Sequence, residues 1–362
     1  MPTERIHHER VHLVVLFGGQ SAEHEVSCTT AAHVVAAADP DRYRLTPIGI
    51  STEGEWALAT AALDAIAERR ALPSRLDPSG IGVSPSLALG QAADVPERTV
   101  VLPLLHGPMG EDGTVQGLLE LADVAYVGSG VLGSAIAMDK AVAKRLIAGA
   151  GLPQARYRAF PEHELDPALP AALAAELGLP CFVKPANMGS SVGVTKAKSV
   201  DELRDAIDHA LTYDEWIVVE EAIEGREIEV AVIGNDDPFV SVPGEIVPGD
   251  EFYSYDDKYV NDTSVGVIPA SLPPDRADEV RAMALAAFTA LRCQGLARCD
   301  FFFEDGGRGF LCNEVNTMPG FTPISMFPKL LMASGMTYPE IIDRLVDLAI
   351  ERHGRRRRNT KH

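Results

Sequence analysis

Four residues within 295–323 can do chemistry together: Arg298, Asp300, Glu314 and Asn316. The apolar runs 296–303 and 310–315 flank Asp305-Gly306-Gly307, a turn sequence that joins two antiparallel strands. Strand side chains alternate faces, so Arg298 and Asp300 share one face, and Glu314 and Asn316 share one. Pairing symmetric about Gly307 sets Asp300 opposite Glu314 and Arg298 opposite Asn316. Directly opposed carboxylates repel, so a face bearing both calls for a hard cation between them. Few ligands, all oxygen, suit Mg²⁺, which keeps waters and takes its other ligands from phosphates. A solvated hairpin face with incidental charges is the competing reading. Asn316-Thr317-Met318-Pro319-Gly320 weighs against it, because a Pro-Gly turn there aims free backbone N–H groups at an anion beside the metal.

Other reactive residues precede this hairpin. Residues 11–17 read as a buried strand that ends in Gly18-Gly19 and leads to a helix from Ser27 to about Ala38. Glu23 and Glu25 at the helix start would repel a phosphate and suit a substrate ammonium, although an acid there also complements the helix dipole. His106 follows a strand at 100–104, where open α/β sheets bind ligands; a structural histidine is the alternative. A single helix over 133–150 is expected to turn Met138, Val142 and Leu146 inward, with Lys140 and Lys144 beside them. Lys184 ends a strand and precedes the small-residue loop 186–193, which contains Ser190 and Ser191 and can lay N–H and hydroxyl groups over polyphosphate. Walker A order is absent. Glu220 and Glu227 flank a turn and can accept from adenine or ribose, or be plain surface. Residues 250–264, polar and aromatic without a period, read as a lid.

These residues need positioning elements, and a chain of 362 residues, 46% hydrophobic, can bury cores in two or three domains. Strands at 45–50, 100–104 and 124–127, with Ala-rich helices between, make the first part an α/β unit; 72–96 reads as a surface loop. A boundary falls near 129–139. Net charge is −20, and residues 352–362 hold six of the 32 basic residues and no acid. So acidic a body is repelled by nucleic acid and by anionic membranes, and the Arg355–Arg358 run reads as a solubilising terminus. Five cysteines without a C-x-x-C pair argue against a zinc site or disulfide framework and for a reducing compartment. No run approaches a membrane span, and no signal-type cleavage region is evident, so a cytoplasmic location is expected.

In order along the chain stand GGQSAEHEVS (18–27), LLHGPMGEDGTVQG (104–117), MDK (138–140), VKPANMGSSVGV (183–194), VEEAIEGRE (219–227), YDDKY (255–259), ARCDFFFE (297–304) and NEVNTMPGFTPISMFP (313–328). With these the chain resembles the D-alanine–D-alanine ligases of the ATP-grasp superfamily over essentially its whole length. The resemblance implies an α/β fold, α+β in its ATP-binding part, with an open parallel-sheet N-terminal domain (1–138). Central (139–227) and C-terminal (228–352) ATP-grasp subdomains and a basic flexible tail (353–362) would follow. It implies ATP as co-substrate and two Mg²⁺ ions, replaceable by Mn²⁺, on Asp300, Glu314 and Asn316. Lys140 and Lys184 would contact phosphates and adenine, Ser190 and Ser191 would line the nucleotide, and Glu220 and Glu227 would hold adenine and ribose. Glu23 would pair with the first D-alanine's ammonium, beside His106. Ser190 and Tyr259 would join Glu23 in closing the lid, with Lys258 near the transferred phosphoryl. Arg298 and the Gly320 N–H would stabilise the oxyanion, and Ser325 and Met326 would seat the second D-alanine's carboxylate. Relatives that prefer D-lactate depart at the Tyr259 position, so Tyr259 here favours D-alanine. The expected product is D-alanyl-D-alanine for peptidoglycan, made through an acyl phosphate by a homodimer. A D-lactate- or D-serine-using ligase and a non-catalytic nucleotide-binding regulator are the alternatives; the second has no need of the 298–316 patch.

Overall fold

The computed structural model describes residues 10–86, 96–247 and 265–356. Three sheets follow one another along the chain. The first contains β1 (Val11–Gly18), α1 (His24–Ala37), β2 (Tyr43–Ile50), β3 (Trp56–Leu58), α2 (Thr60–Ala67), β4 (Ile81–Gly82), β5 (Arg98–Pro103), α3 (Thr114–Leu121) and β6 (Ala125–Tyr126). Every residue of β1 is buried, as a strand covered on both faces requires, and it lies parallel to β2 on one side and β5 on the other. That reversal of strand order opens a crevice at the carboxyl ends of β1 and β5, where the loops bearing Glu23 and His106 begin. Gly18 is needed at this corner: its φ is +89° and a Cβ there would lie 2.2 Å from the Ile50 carbonyl oxygen. β3 and β4 add an antiparallel edge to the parallel strands. The stretch expected as a surface loop supplies β4 and buries Leu76, whose N–H donates to the Cys28 carbonyl at 3.1 Å.

The single helix expected over 133–150 is two, α4 (Val131–Met138) and α5 (Lys140–Gly149). Asp139 takes an extended conformation between them, and its carboxylate caps α5 by accepting from the Val142 N–H at 2.9 Å. The restart rotates the buried face: Ala141, Ala143, Lys144 and Ile147 point inward, while Leu146 is 38% exposed. Two lysines thereby enter the region between the sheets.

The second sheet combines β7 (Tyr157–Pro161), α6 (Leu169–Leu177), β8 (Cys181–Pro185), β9 (Thr195–Ala197), α7 (Val200–Ala210) and β10 (Trp216–Glu221). It is antiparallel, in the order β7-β10-β8-β9. Cys181 and Val183 pack on Leu173, Leu203 and Ile207 of its two helices, so strand alternation turns Lys184 to the opposite face.

The third sheet holds β11 (Arg226–Gly234), β12 (Phe239–Val240), β13 (Gly244–Val247), β14 (Val265–Val267), α8 (Pro274–Ala290), β15 (Gly295–Glu304) and β16 (Gly309–Asn316). Its order is β14-β13-β11-β15-β16 with β12 beside β11. Ile228, Val230, Cys299 and Phe301 pack on Val280, Ala284 and Phe288 of α8, which leaves Glu229, Arg298 and Asp300 on the other face. The chain ends in α9 (Met326–Ala333) and α10 (Tyr338–Arg355). One core unites Val100 and Val127 of the first part, Ala231 and Leu296 of the third sheet, and Ile342 and Val346 of α10. α10 runs past the expected start of the basic tail. Arg355 pairs with Asp236 and Glu351, and Arg356 with Glu120, so these residues are held against the body. All five cysteines are free and buried.

Candidate active site

At the third sheet the sequence register holds where the chemistry lies and fails elsewhere. Arg298 pairs with Asn316 and Asp300 with Glu314, but Phe301 pairs with Cys312. Asn313 is therefore an extra residue, a β-bulge. On the outer edge of β16, the neighbouring Cys312 N–H donates to the Pro153 carbonyl at 2.8 Å. Glu229 of β11 pairs with Asp300 from the other side, giving three carboxylates, Glu229, Asp300 and Glu314, in one row across three strands. The Arg298 guanidinium grips Asp300 bidentately, Nε to Oδ1 at 2.8 Å and Nη2 to Oδ2 at 2.7 Å, and lies 3.2 Å from Glu229 Oε2. Burial works against its charge, but Asp300 and Glu229 outweigh it and hold the guanidinium well above its usual value. Asn316 Nδ2 donates to Asp300 Oδ2 at 2.9 Å, leaving its amide oxygen as an acceptor. Of these groups, the Asp300 and Glu314 carboxylates and the Asn316 amide oxygen form an oxygen donor set that fits a hard divalent cation, while Glu229 lies against the guanidinium.

Opposite lies a lysine cluster. Glu220, 3% exposed, places one oxygen 2.9 Å from Lys144 Nζ and the other 2.8 Å from Lys184 Nζ. Burial pushes this carboxyl up, but the two ammonium groups overcome that and hold it at about 2. Burial likewise opposes the Lys184 charge, and Glu220 more than compensates. Lys140, at the first turn of α5, is pushed below its usual value chiefly by burial, partly countered by Glu314. Its Nζ donates to the Met188 carbonyl at 2.5 Å. α5 packs against β16, and the Glu314 charge favours the charged form of both Lys140 and Lys184, so the hairpin and the lysines lie side by side. The loop between β8 and β9 closes one side. Ser190 and Ser191 both adopt left-handed backbone, φ 51° and 59°, an uncommon conformation for residues with a Cβ.

At the crevice of the first sheet, Glu23, His106 and Glu111 bring their donor atoms within 4.8 Å of one another. His106 Nδ1 lies 3.0 Å from the Met318 carbonyl; a carbonyl only accepts, so Nδ1 carries the hydrogen and Nε2 is the other donor-acceptor position. Glu111 accepts from the Gly107 N–H at 2.7 Å and the Met318 N–H at 3.2 Å. Burial drives its carboxyl up to about 7. Met318 thus ties the first-sheet crevice to the turn that follows Asn316. The β8–β9 loop reaches the same place, since a Cβ on Gly189 would stand 3.7 Å from Glu23 Oε2.

Beyond that turn, a Cβ on Gly320 would lie 3.1 Å from Ser325 Oγ. Ser325 Oγ is 2.8 Å from Thr322 Oγ1 and precedes α9. The Met326 side chain is buried against Gly244 and Gly266, so only its backbone N–H is positioned for an anion. Glu227 sits at the edge of the cleft on β11, and its charge reaches Lys184. Tyr259 and Lys258, with the expected lid, lie outside the described residues.

Three residues here had no assigned part in the sequence reading. Lys144 is one turn beyond Lys140 on the same helix. Glu111 sits inside the motif that carries His106. Glu229 follows Glu227 at strand spacing, a pattern that marks a second acid on the same face.

Two antiparallel sheets closing on a cleft of lysines and acids, set against an open α/β sheet, define an ATP-grasp ligase. Family models described as the D-ala D-ala ligase N-terminus and C-terminus match residues 12–129 and 146–347. The D-alanine–D-alanine ligase of Geobacillus thermodenitrificans is 48% identical, over 94% of this chain and 95% of that protein. Among solved structures, the VanG D-Ala:D-Ser ligase from Enterococcus faecalis is similar with a TM-score of 0.80 at 33% identity, covering 94% of this chain and 100% of that one. The D-alanine–D-alanine ligase from Coxiella burnetii gives 0.79 at 34%, covering 96% of each. The chain belongs to the D-alanine–D-alanine ligase family.

Proposed function

We propose that this chain joins two D-alanines into D-alanyl-D-alanine at the expense of ATP, releasing ADP and phosphate, for peptidoglycan precursors. The observation that carries the reading is that α5, which bears Lys140, packs against β16, which bears Glu314, while Met318 links the turn after Asn316 to His106 and Glu111. A carboxylate is a poor electrophile, so the γ-phosphoryl is first moved onto it, and the acyl phosphate then accepts the second amine. Lys140 and Lys184 neutralise phosphate charge, Ser190 and Ser191 cover the nucleotide, and Glu227 takes the ribose. Glu220 holds Lys144 and Lys184 and has lone pairs left for the adenine amino group. Divalent ions on Asp300, Glu314 and Asn316, Mg²⁺ or Mn²⁺, would supply charge neutralisation at the transferring phosphoryl.

Glu23 takes the first ammonium beside His106. Arg298 and the Gly320 N–H hold the tetrahedral oxyanion, a task worth roughly 3–4 kcal/mol per donor. The N–H groups at Ser325 and Met326 seat the second carboxylate at a helix N-terminus. Tyr259 and Lys258 complete the set as sequence-based assignments: Tyr259 with Glu23 and Ser190, Lys258 at the phosphoryl group. The proposed units are 1–138 for the first substrate, 139–227 and 228–352 for nucleotide and metal.

A cytoplasmic homodimer is part of the proposal. Leu121, 90% exposed, and Leu132, 51%, give α3 and α4 an apolar surface for a second copy, and sedimentation velocity tests it. No helix among the described residues is long and apolar enough to cross a membrane. Phosphate release with ATP, Mg²⁺ and a panel of D-alanine, D-serine and D-lactate decides the activity. Release with D-alanine alone is expected; nucleotide binding without release overturns the reading, and equal release with D-lactate overturns the Tyr259 assignment.

A further inference from the structure

The Arg298–Asp300 pair poses a conflict. Both Asp300 oxygens are engaged, Oδ1 and Oδ2 by Arg298 and Oδ2 again by Asn316. A cation ligand must direct those lone pairs to the ion, and the ion's charge repels a guanidinium gripping the same carboxylate. Arg298, 16% exposed at its side chain, would then lose its principal counter-charge in a place where an unpaired buried cation is costly. Glu229 is the neighbouring acid on the strand beyond. Its side chain is 6% exposed, its Oε2 lies 3.2 Å from Arg298 Nε, and its place opposite Asp300 is fixed by the β11–β15 ladder. The residue opposite Arg298 on β11 is Ala231, too small to compete for the guanidinium.

We propose that Glu229 is a positioning residue for Arg298, holding the guanidinium in place when Asp300 gives its oxygens to a divalent cation. This rests on the assignment of Asp300 to the metal and Arg298 to the oxyanion. Glu229 touches neither substrate nor ion and acts through Arg298. With it, Asp300 is released to the ion without Arg298 leaving the reacting carboxyl. Without it, Arg298 keeps Asp300, and metal and oyxanion donor compete for one carboxylate.

The test uses Glu229→Gln, which keeps the shape and removes the charge, and Glu229→Asp, which restores the charge. Mn²⁺ binding is titrated on the full chain with a non-hydrolysable ATP analogue, counting free ion by its EPR signal, and kcat and KM are measured separately. Glu229→Gln is expected to weaken Mn²⁺ binding and lower kcat by about ten- to a hundredfold, as for groups that orient first-shell ligands. KM for ATP stays within about twofold, and Glu229→Asp recovers part of both losses.

A bare charge effect on the ion is separated by a cycle. In an Arg298→Ala background, Glu229→Gln should change Mn²⁺ affinity by less than about twofold. An undiminished effect there overturns the proposal, as do wild-type Mn²⁺ affinity and kcat in Glu229→Gln. Asp300→Asn is the control: if it leaves Mn²⁺ binding intact, the metal assignment falls and this inference with it. If it abolishes binding while Glu229→Gln leaves Mn²⁺ affinity at the wild-type value, the positioning role alone falls.

Discussion

Asp300 faces Glu314 across the β15–β16 pair because the returning strand carries one residue more than its turn requires. From Glu304–Gly309 to Phe301–Cys312 the ladder is regular, and continued unbroken it would set Asn313 against Asp300. Glu314 would then oppose Cys299 and point toward the α8 core. The bulge at Asn313 resets the phase, so the acids meet on the cleft side. A pair brought together at that cost of repulsion should be needed for turnover. Glu314→Gln is expected to lower kcat by about 1000-fold, equivalent to roughly 4 kcal/mol of transition-state stabilisation, with thermal stability unchanged or slightly raised as repulsion is relieved. Phosphate release at saturating ATP, Mg²⁺ and D-alanine measures it, and near-wild-type kcat would refute the metal assignment.

Glu220 makes a prediction about acid stability. Its carboxyl is held at about 2 between Lys144 and Lys184, below the ordinary 4.5. A carboxyl lowered on folding contributes stability that is complete above its unfolded value and lost as pH falls through the folded one. The window is therefore pH 4.5 down to about 2. Glu220→Gln strands two buried ammonium groups and should cost about 3–5 kcal/mol at neutral pH. The difference between wild type and variant should shrink across that acid window. Urea unfolding at stepped pH reads both, and a pH-independent difference would contradict the charge pairing.

How much of this was legible beforehand follows from the range of the signals. The parallel strands, and the positions of Lys140 and Lys184 as candidate ligands, follow from local apolar runs and turn residues. The expected Asp300–Glu314 pairing assumes a turn symmetric about Gly307, and it is met only because the bulge at Asn313 offsets the different centre of the actual turn. The bulge itself is not legible, because no glycine marks Asn313, and the neighbouring Cys312 N–H meets Pro153, remote in sequence. The break at Asp139 carried a local sign, an acid three residues before Val142, but the apolar period running through it concealed the restart. Lys144 looked like a flanking lysine until that restart turned it inward. Glu111 and Glu229 depend on Met318 and Arg298, contacts that only the assembled sheets create.

Gly320 tests the seat proposed for the second substrate. A Cβ there would come 3.1 Å from Ser325 Oγ, closer than a relaxed contact, and Ser325 is fixed by Thr322. Gly320→Ala is expected to displace the start of α9 and raise KM for the second D-alanine by about tenfold, the equivalent of 1.4 kcal/mol. The first-site KM and the ATP KM should stay near wild type. Initial rates fitted for two D-alanine sites separate them, and an equal rise at both sites would contradict the assignment.

Glu111 behaves in the opposite sense to Glu220. Burial lifts its carboxyl to about 7, so the folded chain keeps a proton that the unfolded chain releases near 4.5. The folded state then binds more protons between those values, and stability falls as pH rises from 4.5 to about 7 before levelling off. Glu111→Gln cannot ionise and lacks this component, although it gives up a charged acceptor for the Gly107 and Met318 N–H groups. Wild type should therefore lose stability relative to the variant across that interval, by on the order of 1–3 kcal/mol. Parallel denaturant titrations of both proteins from pH 4.5 to 8 check the slope. A difference that stays flat above about pH 5.5 would mean that Glu111 is ionised throughout, held by its two N–H donors and His106.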